Sequence, residues 1–175
     1  MSLLAFLQTG CLAAFAIALI AAGWQDLRTL RIGNRLSVAT VAAFTIWAAA
    51  GIALGRMSAS MLGETLLCSV ILFAVGAAGF AAGILGGGDV KLLAAASLFA
   101  GPARMIDFLA VTALVGGALG VAVLAGVPIG PTVAAGDGTI RTRLRSGLPY
   151  GPAIASGGLW VVAALYASQG TGAMP

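Results

Sequence analysis

The chain has 175 residues, 61% of them hydrophobic and only 8% charged, with a net charge of +4. A soluble domain of this size carries roughly 25% charged residues, so this sequence cannot coat a water-facing fold, and the bilayer is the solvent for most of it. The positive charge does not mark a nucleic-acid binder, because the arginines sit in short gaps between apolar runs, where they act as topology signals.

Apolar spans are predicted at 3–24, 37–54, 61–85, 91–101, 106–127 and 152–169. They define an all-α, polytopic membrane helix bundle of about six transmembrane segments, a single membrane-embedded domain over residues 1–175. No basic residue precedes the first span; Arg28, Arg31 and Arg35 follow it. A cleaved signal peptide has the opposite order, so this span reads as a retained helix. It closes on Gly23-Trp24-Gln25-Asp26. The third span ends near the pair Gly79–Gly83, and the fifth holds Gly116–Gly120; both GxxxG pairs are assigned to helix packing. Gly86-Gly87-Gly88-Asp89 opens the fourth span, whose 11 residues cover only about 17 Å as a helix. That segment is a short sheltered span, a re-entrant segment, or a helix that starts earlier. Residues 128–150 form the only long hydrophilic connection, rich in Gly and Pro and carrying Arg141, Arg143 and Arg145.

Six spans place alternate gaps on opposite sides. One side then holds Arg28, Arg31, Arg35, Lys91, Arg141, Arg143 and Arg145, the other only Arg56 and Arg104. This bias puts the first group in the cytoplasm and both termini outside it. There is no histidine, and Cys11 and Cys68 lie singly in apolar stretches, so His-based catalysis is removed and a zinc or redox site is disfavoured.

Five acidic residues remain to be explained. A carboxylate in the membrane costs roughly 2.5–3.5 kcal/mol on insertion scales. Glu64 and Asp107 fall near outer helix ends, where water reaches them, and Asp137 reads as a turn residue in Ala-Gly-Asp-Gly. Asp26 and Asp89 both fall at cytoplasmic helix ends. Two carboxylates at one depth can share a proton and serve together as acid and base, which is what aspartic peptide hydrolysis needs. Glycines before Asp89 let a substrate backbone approach the carboxylate. The same pattern also fits a hinge with Asp89 as a helix N-cap, or an ion pathway.

Three stretches together resemble the type IV prepilin peptidases. Asp26-Leu27-Arg28-Thr29-Leu30-Arg31-Ile32-Gly33-Asn34 is similar to that family's first aspartate motif, Gly86-Gly87-Gly88-Asp89-Val90-Lys91 to its Gly-x-Gly-Asp-x-Lys motif, and Leu148-Pro149-Tyr150-Gly151-Pro152 to its late Pro-Phe/Tyr-Gly-Pro motif. The resemblance covers roughly residues 10–165. Gly33 departs from it by standing where the family usually has Pro. The chain also lacks the N-terminal cytoplasmic methyltransferase region of the long members, so the likeness is to short, peptidase-only forms serving Flp-type (tight-adherence) pili.

The resemblance implies a metal-independent membrane aspartic endopeptidase with no cofactor. Its catalytic pair would be Asp26 and Asp89, and its partners prepilin or pseudopilin precursors and the bilayer of the bacterial inner membrane. Gly86, Gly88, Lys91, Pro149, Tyr150, Gly151 and Pro152 are the residues it implies for substrate binding or site shaping. Lys91 equally fits a positive-inside anchor, and the prolines a rigid helix entry. Two rival readings are a small proton-coupled transporter with the aspartates as relay groups, and an inactive pilus-assembly protein.

Overall fold

In the computed structural model the described residues are 3–127, 129 and 149–171. They form five helices: α1 (Leu3–Thr29), α2 (Asn34–Ala53), α3 (Ala59–Ala81), α4 (Gly87–Leu124) and α5 (Gly151–Thr171). All five are long and apolar enough to cross a membrane. No proline precedes Pro102, so nothing in the first three helices removes a backbone donor. Asp137, Arg141, Arg143, Arg145 and Leu148 lie outside the described residues.

The helix stops are written in glycine. Gly55, Gly83 and Gly126 take positive φ just past α2, α3 and α4. At each, paired bonds close the last turn, as in Arg56 N–H to Gly51 O (2.8 Å) and Gly55 N–H to Ile52 O (3.0 Å). Gly83, expected as half of a packing pair, is therefore a helix terminator. Gly116 does pack: a Cβ there would meet the Tyr150 ring at 3.2 Å. The stop of α1 is different, because Leu30 holds the left-handed conformation without being glycine (φ 51). Ser58 caps α3 by accepting from Met61 N–H at 3.2 Å.

The fourth and fifth predicted spans are joined in α4. Its first arm starts at Gly87, earlier than the apolar run suggested, and lengthens the short segment. The arms meet at Gly101, whose φ 56 and ψ −176 are non-helical, followed by Pro102. Close approaches fix the direction of each arm. Along the first arm, Val90 meets Gly76, Ser97 bonds Ser69 (2.7 Å), and Gly101 faces Thr65, so it runs antiparallel to α3. Along the second, Phe108 and Thr112 meet Gly157, and Gly116 meets Tyr150 and Ala153, so it runs antiparallel to α5. Because α5 in turn opposes α1 (Gly23 against Pro152, Leu19 against Gly158), the two arms of α4 run in opposite senses. The end of the bundle holding Asp26 and Asp89 is called proximal below, the other distal.

Packing centres on Phe99 of the first arm. Phe15 stacks on it at 4.1 Å between ring centroids, Phe44 meets it edge-on at 5.5 Å, and Trp47 lies at 5.7 Å. Such pairs are worth about 0.5–1.5 kcal/mol each beyond the area they bury, and here they tie α1, α2 and α4 together. At the distal end the buried Gln8 donates to Trp47 O (3.3 Å) and accepts from Arg56 (3.1 Å), so a polar side chain inside the bundle is satisfied. Large apolar side chains point outward instead, among them Ile17, Val70 and Leu114, as expected of a lipid-facing surface.

Candidate active site

Asp26 occupies the last turn of α1 and is 3% exposed. Its Oδ2 accepts a 2.6 Å hydrogen bond from the backbone N–H of Gly151, the first residue of α5. The first N–H groups of a helix have no partner inside it and carry the positive end of its dipole, so α5 offers Asp26 a ready donor. Only glycine fits at 151: a Cβ there would lie 2.6 Å from Asp26 Cβ. Pro149 is fully buried beside this junction, and the backbone of Pro152 packs on Gly23, 3.4 Å from where a Cβ there would lie. Proline is tolerated so early in a helix because its missing N–H would have no partner there.

Asp89 lies in the first turn of α4. The backbone N–H of Gly86 faces its carboxylate, and a Cβ at Gly86 would sit 2.6 Å from Asp89 Oδ2. Gly88 serves a different contact. A Cβ there would meet Ile32 O at 2.8 Å, so this glycine lets the α1–α2 connection press against the start of α4. The two aspartates are close enough for the charge of Asp26 to act on Asp89. Asp107 and Glu64 are both exposed and lie toward the distal end, away from this pair.

Lys91 donates from Nζ to Asn34 Oδ1 at 3.0 Å, tying α4 to the first residue of α2. Tyr150 lies with its ring against Gly116 of α4. Gly33 takes φ −70 and ψ 136, a conformation proline also adopts, and its N–H donates to Gln25 Oε1 at 3.3 Å. The glycine at this position thus gains a bond that proline could not make. Gln25 and Asn34 are positioning contacts that sequence reasoning did not single out. Nothing in their spacing signals them, since each acts across a turn or between helices.

Fold and site define a multi-pass helical membrane protein with a proximal carboxylate pair set among glycine-bared backbone. Such a pair can activate water with one carboxylate and protonate a carbonyl with the other. The chain belongs to the Type IV leader peptidase family, whose profile matches residues 13–121. The match includes Asp26 and Asp89 and ends before the 149–152 stretch. The family comprises aspartic prepilin peptidases, so the protein is an aspartic endopeptidase of a bacterial membrane family, and the transporter reading falls away. No curated protein and no solved structure matches the chain.

Proposed function

We propose that Asp26 and Asp89 are the catalytic dyad, and that the protein removes the leader peptide of Flp-like type IV prepilins or pseudopilins at the cytoplasmic membrane interface. The observation that carries this reading is the placement of two carboxylates from different helices at one bundle end, with Asp26 held by Gly151 N–H. In the reaction, one carboxylate takes a proton from water as the oxygen attacks the scissile carbonyl. Its protonated partner donates to the carbonyl oxygen, giving a tetrahedral diol; the proton taken from water then passes from the first carboxyl to the amide nitrogen as the C–N bond breaks, and the diol returns a proton to the partner as it collapses to the new carboxyl group. Gly86, Gly88, Lys91 and the Pro149–Pro152 turn shape the site around the dyad.

The cytoplasmic orientation is supported by charge. Arg28, Arg31, Arg35 and Lys91 lie at the proximal end, against Arg56 and Arg104 toward the distal one. A substrate with a basic leader and an apolar helix would present its junction at that depth.

The test is co-expression with an Flp-type precursor and mass measurement of the mature N-terminus. Asp26→Asn and Asp89→Asn should each abolish cleavage while the protein still accumulates in the membrane. The double variant should be scarcely worse, because acid and base act in one transition state. Robust cleavage by either single variant would remove the dyad. Cleavage of other prepilins but never of an Flp-type one would remove the substrate assignment.

A further inference from the structure

No hydrogen bond joins the two carboxyl groups among the described residues, so their spacing depends on the elements that carry them. Helices α1 and α4 meet through the Phe15–Phe99 stack but share no extended backbone packing among the described residues; each packs instead on α2 and α5. On the α5 side, Gly151 N–H holds Asp26. On the α2 side, residues 32–34 of the connection from α1 touch the neighbours of both aspartates in turn. The buried Ile32 lies against Gly88, the residue before Asp89. Gly33 N–H donates at 3.3 Å to Oε1 of Gln25, the residue before Asp26. Asn34 Oδ1 accepts at 3.0 Å from Lys91, two residues beyond Asp89. One short segment is thus pinned to α4 at both its ends and to α1 at its middle.

The connection that carries this segment is strained. Leu30 has φ 51, a left-handed value that a leucine keeps only when its surroundings enforce it. Thr29 Oγ1 donates to Gln25 O and Leu30 N–H to Asp26 O, both at 2.8 Å, but these bonds stop short of the residues that touch α4. The bond from the Gln25 side chain reaches past the strained leucine. Its donor, Gly33, is the N-cap of α2, so this N–H has no partner within that helix.

We propose that Gln25 is a positioning residue for the reaction: through Gly33 N–H it braces residues 32–34 between α1 and α4, and so sets the spacing of the Asp26 and Asp89 carboxylates. This rests on the dyad reading above and adds what holds the dyad at its working separation. Without the brace the strained connection relaxes, and the start of α4 shifts relative to the end of α1. The loss then falls on kcat, because the groups that bind the rest of the substrate stay in place. The brace is also replaceable. Gly33 has φ −70, a value that a proline ring holds covalently and with no N–H to be accepted. A proline at 33 would not replace a glutamine that touched the substrate.

The experiment uses the full chain in detergent with an Flp-type precursor, or another prepilin that the parent cleaves. It compares the parent with Gln25→Met, Gly33→Pro and the double variant. Methionine keeps the length of the side chain and removes the acceptor. Misplacement on the ångström scale costs on the order of 10²-fold in rate, so a partial shift should lower kcat in Gln25→Met roughly fivefold or more, with KM within about twofold. With Gly33→Pro present, Gln25→Met should change kcat by less than about twofold, and the double variant should exceed Gln25→Met alone by roughly threefold or more. Unchanged kcat in Gln25→Met, a loss confined to KM, or a double variant no faster than Gln25→Met would overturn the proposal. Hydrogen exchange over residues 30–36 needs no catalysis, and Gln25→Met should speed it by roughly tenfold. Equal exchange in parent and variant would overturn the brace even if the proline variants fail to accumulate. A parent that cleaves no prepilin, or cleavage that survives Asp26→Asn or Asp89→Asn, would instead count against the dyad reading, whatever the exchange rates show.

Discussion

Asp26 depends on a bond that no local pattern encodes. Its partner, Gly151 N–H, is 125 positions away, and the glycine is there because any Cβ would strike the aspartate. Gly151→Ala should therefore displace either α5 or the carboxyl by some tenths of an ångström. Misplacement on the ångström scale costs on the order of 10²-fold in rate, so we expect at least a tenfold loss of precursor cleavage at normal membrane levels. Gly117→Ala is the control, since nothing lies within 4 Å of a Cβ there, and cleavage should be retained. Equal activity in the two variants would contradict the close-packed junction. The candidate pair itself was legible in the sequence, because few carboxylates in an apolar chain fall at helix ends and each needs a reason to be there. Their supports were less legible. Lys91 bonds Asn34 across 57 positions, and Gln25 accepts from Gly33 across a turn. Both contacts follow from how helices meet, which a linear pattern of charges and glycines does not record.

Among the elements, α4 departs most from what hydropathy suggests. The sequence shows two apolar runs with a break near residue 101, and a break predicts a loop. Gly101 provides the reversal alone, with helix on both sides, through a backbone conformation reserved for glycine. Gly101→Ala should cost about 1–3 kcal/mol from that strain. Steric crowding adds little, because the nearest atom to an added Cβ is Thr65 Oγ1 at an ordinary 3.4 Å. Thermal unfolding in detergent should show Tm lower by roughly 2–4 °C per kcal/mol; an unchanged Tm would mean that the turn relaxes freely. The helix termini were partly legible. Glycines were visible, but whether one packs, as Gly116 does, or stops a helix, as Gly83 does, depends on backbone dihedrals that a GxxxG spacing leaves open.

For the whole molecule, the predicted six passages and the five observed helices agree once the arms of α4 are counted separately. Helix α1 then starts at the distal end, and the second arm of α4 ends at the proximal one. Reporter fusions after Ser58 and after Val127 should report opposite sides of the membrane, with the Val127 fusion cytoplasmic. Same-side signals would refute both the opposed arms and the shared depth of the three motif stretches. The class of fold was legible from composition because a chain with so few charges has one available solvent. The lateral arrangement was not: which helices touch, and which stand apart as α2 and α3 do, depends on small-residue contacts among nearly uniform apolar faces.

The broken helix also bears on how the protein enters the membrane in the first place. The first arm, residues 87–100, is about 21 Å long as a helix, short of the roughly 30 Å of hydrocarbon it faces. A nascent chain that stops at Gly101 has no stable way to leave that arm in lipid with its end exposed. Insertion of this region should therefore await the second arm, the two entering together as a hairpin against α1–α3 already in place. Chains released after residue 101 should leave the arm open to a water-soluble cysteine reagent at Ala94→Cys in an otherwise cysteine-free background, and chains released after residue 127 should protect it. Protection in the shorter chain would show that the first arm inserts unaided, and biogenesis would then proceed one helix at a time.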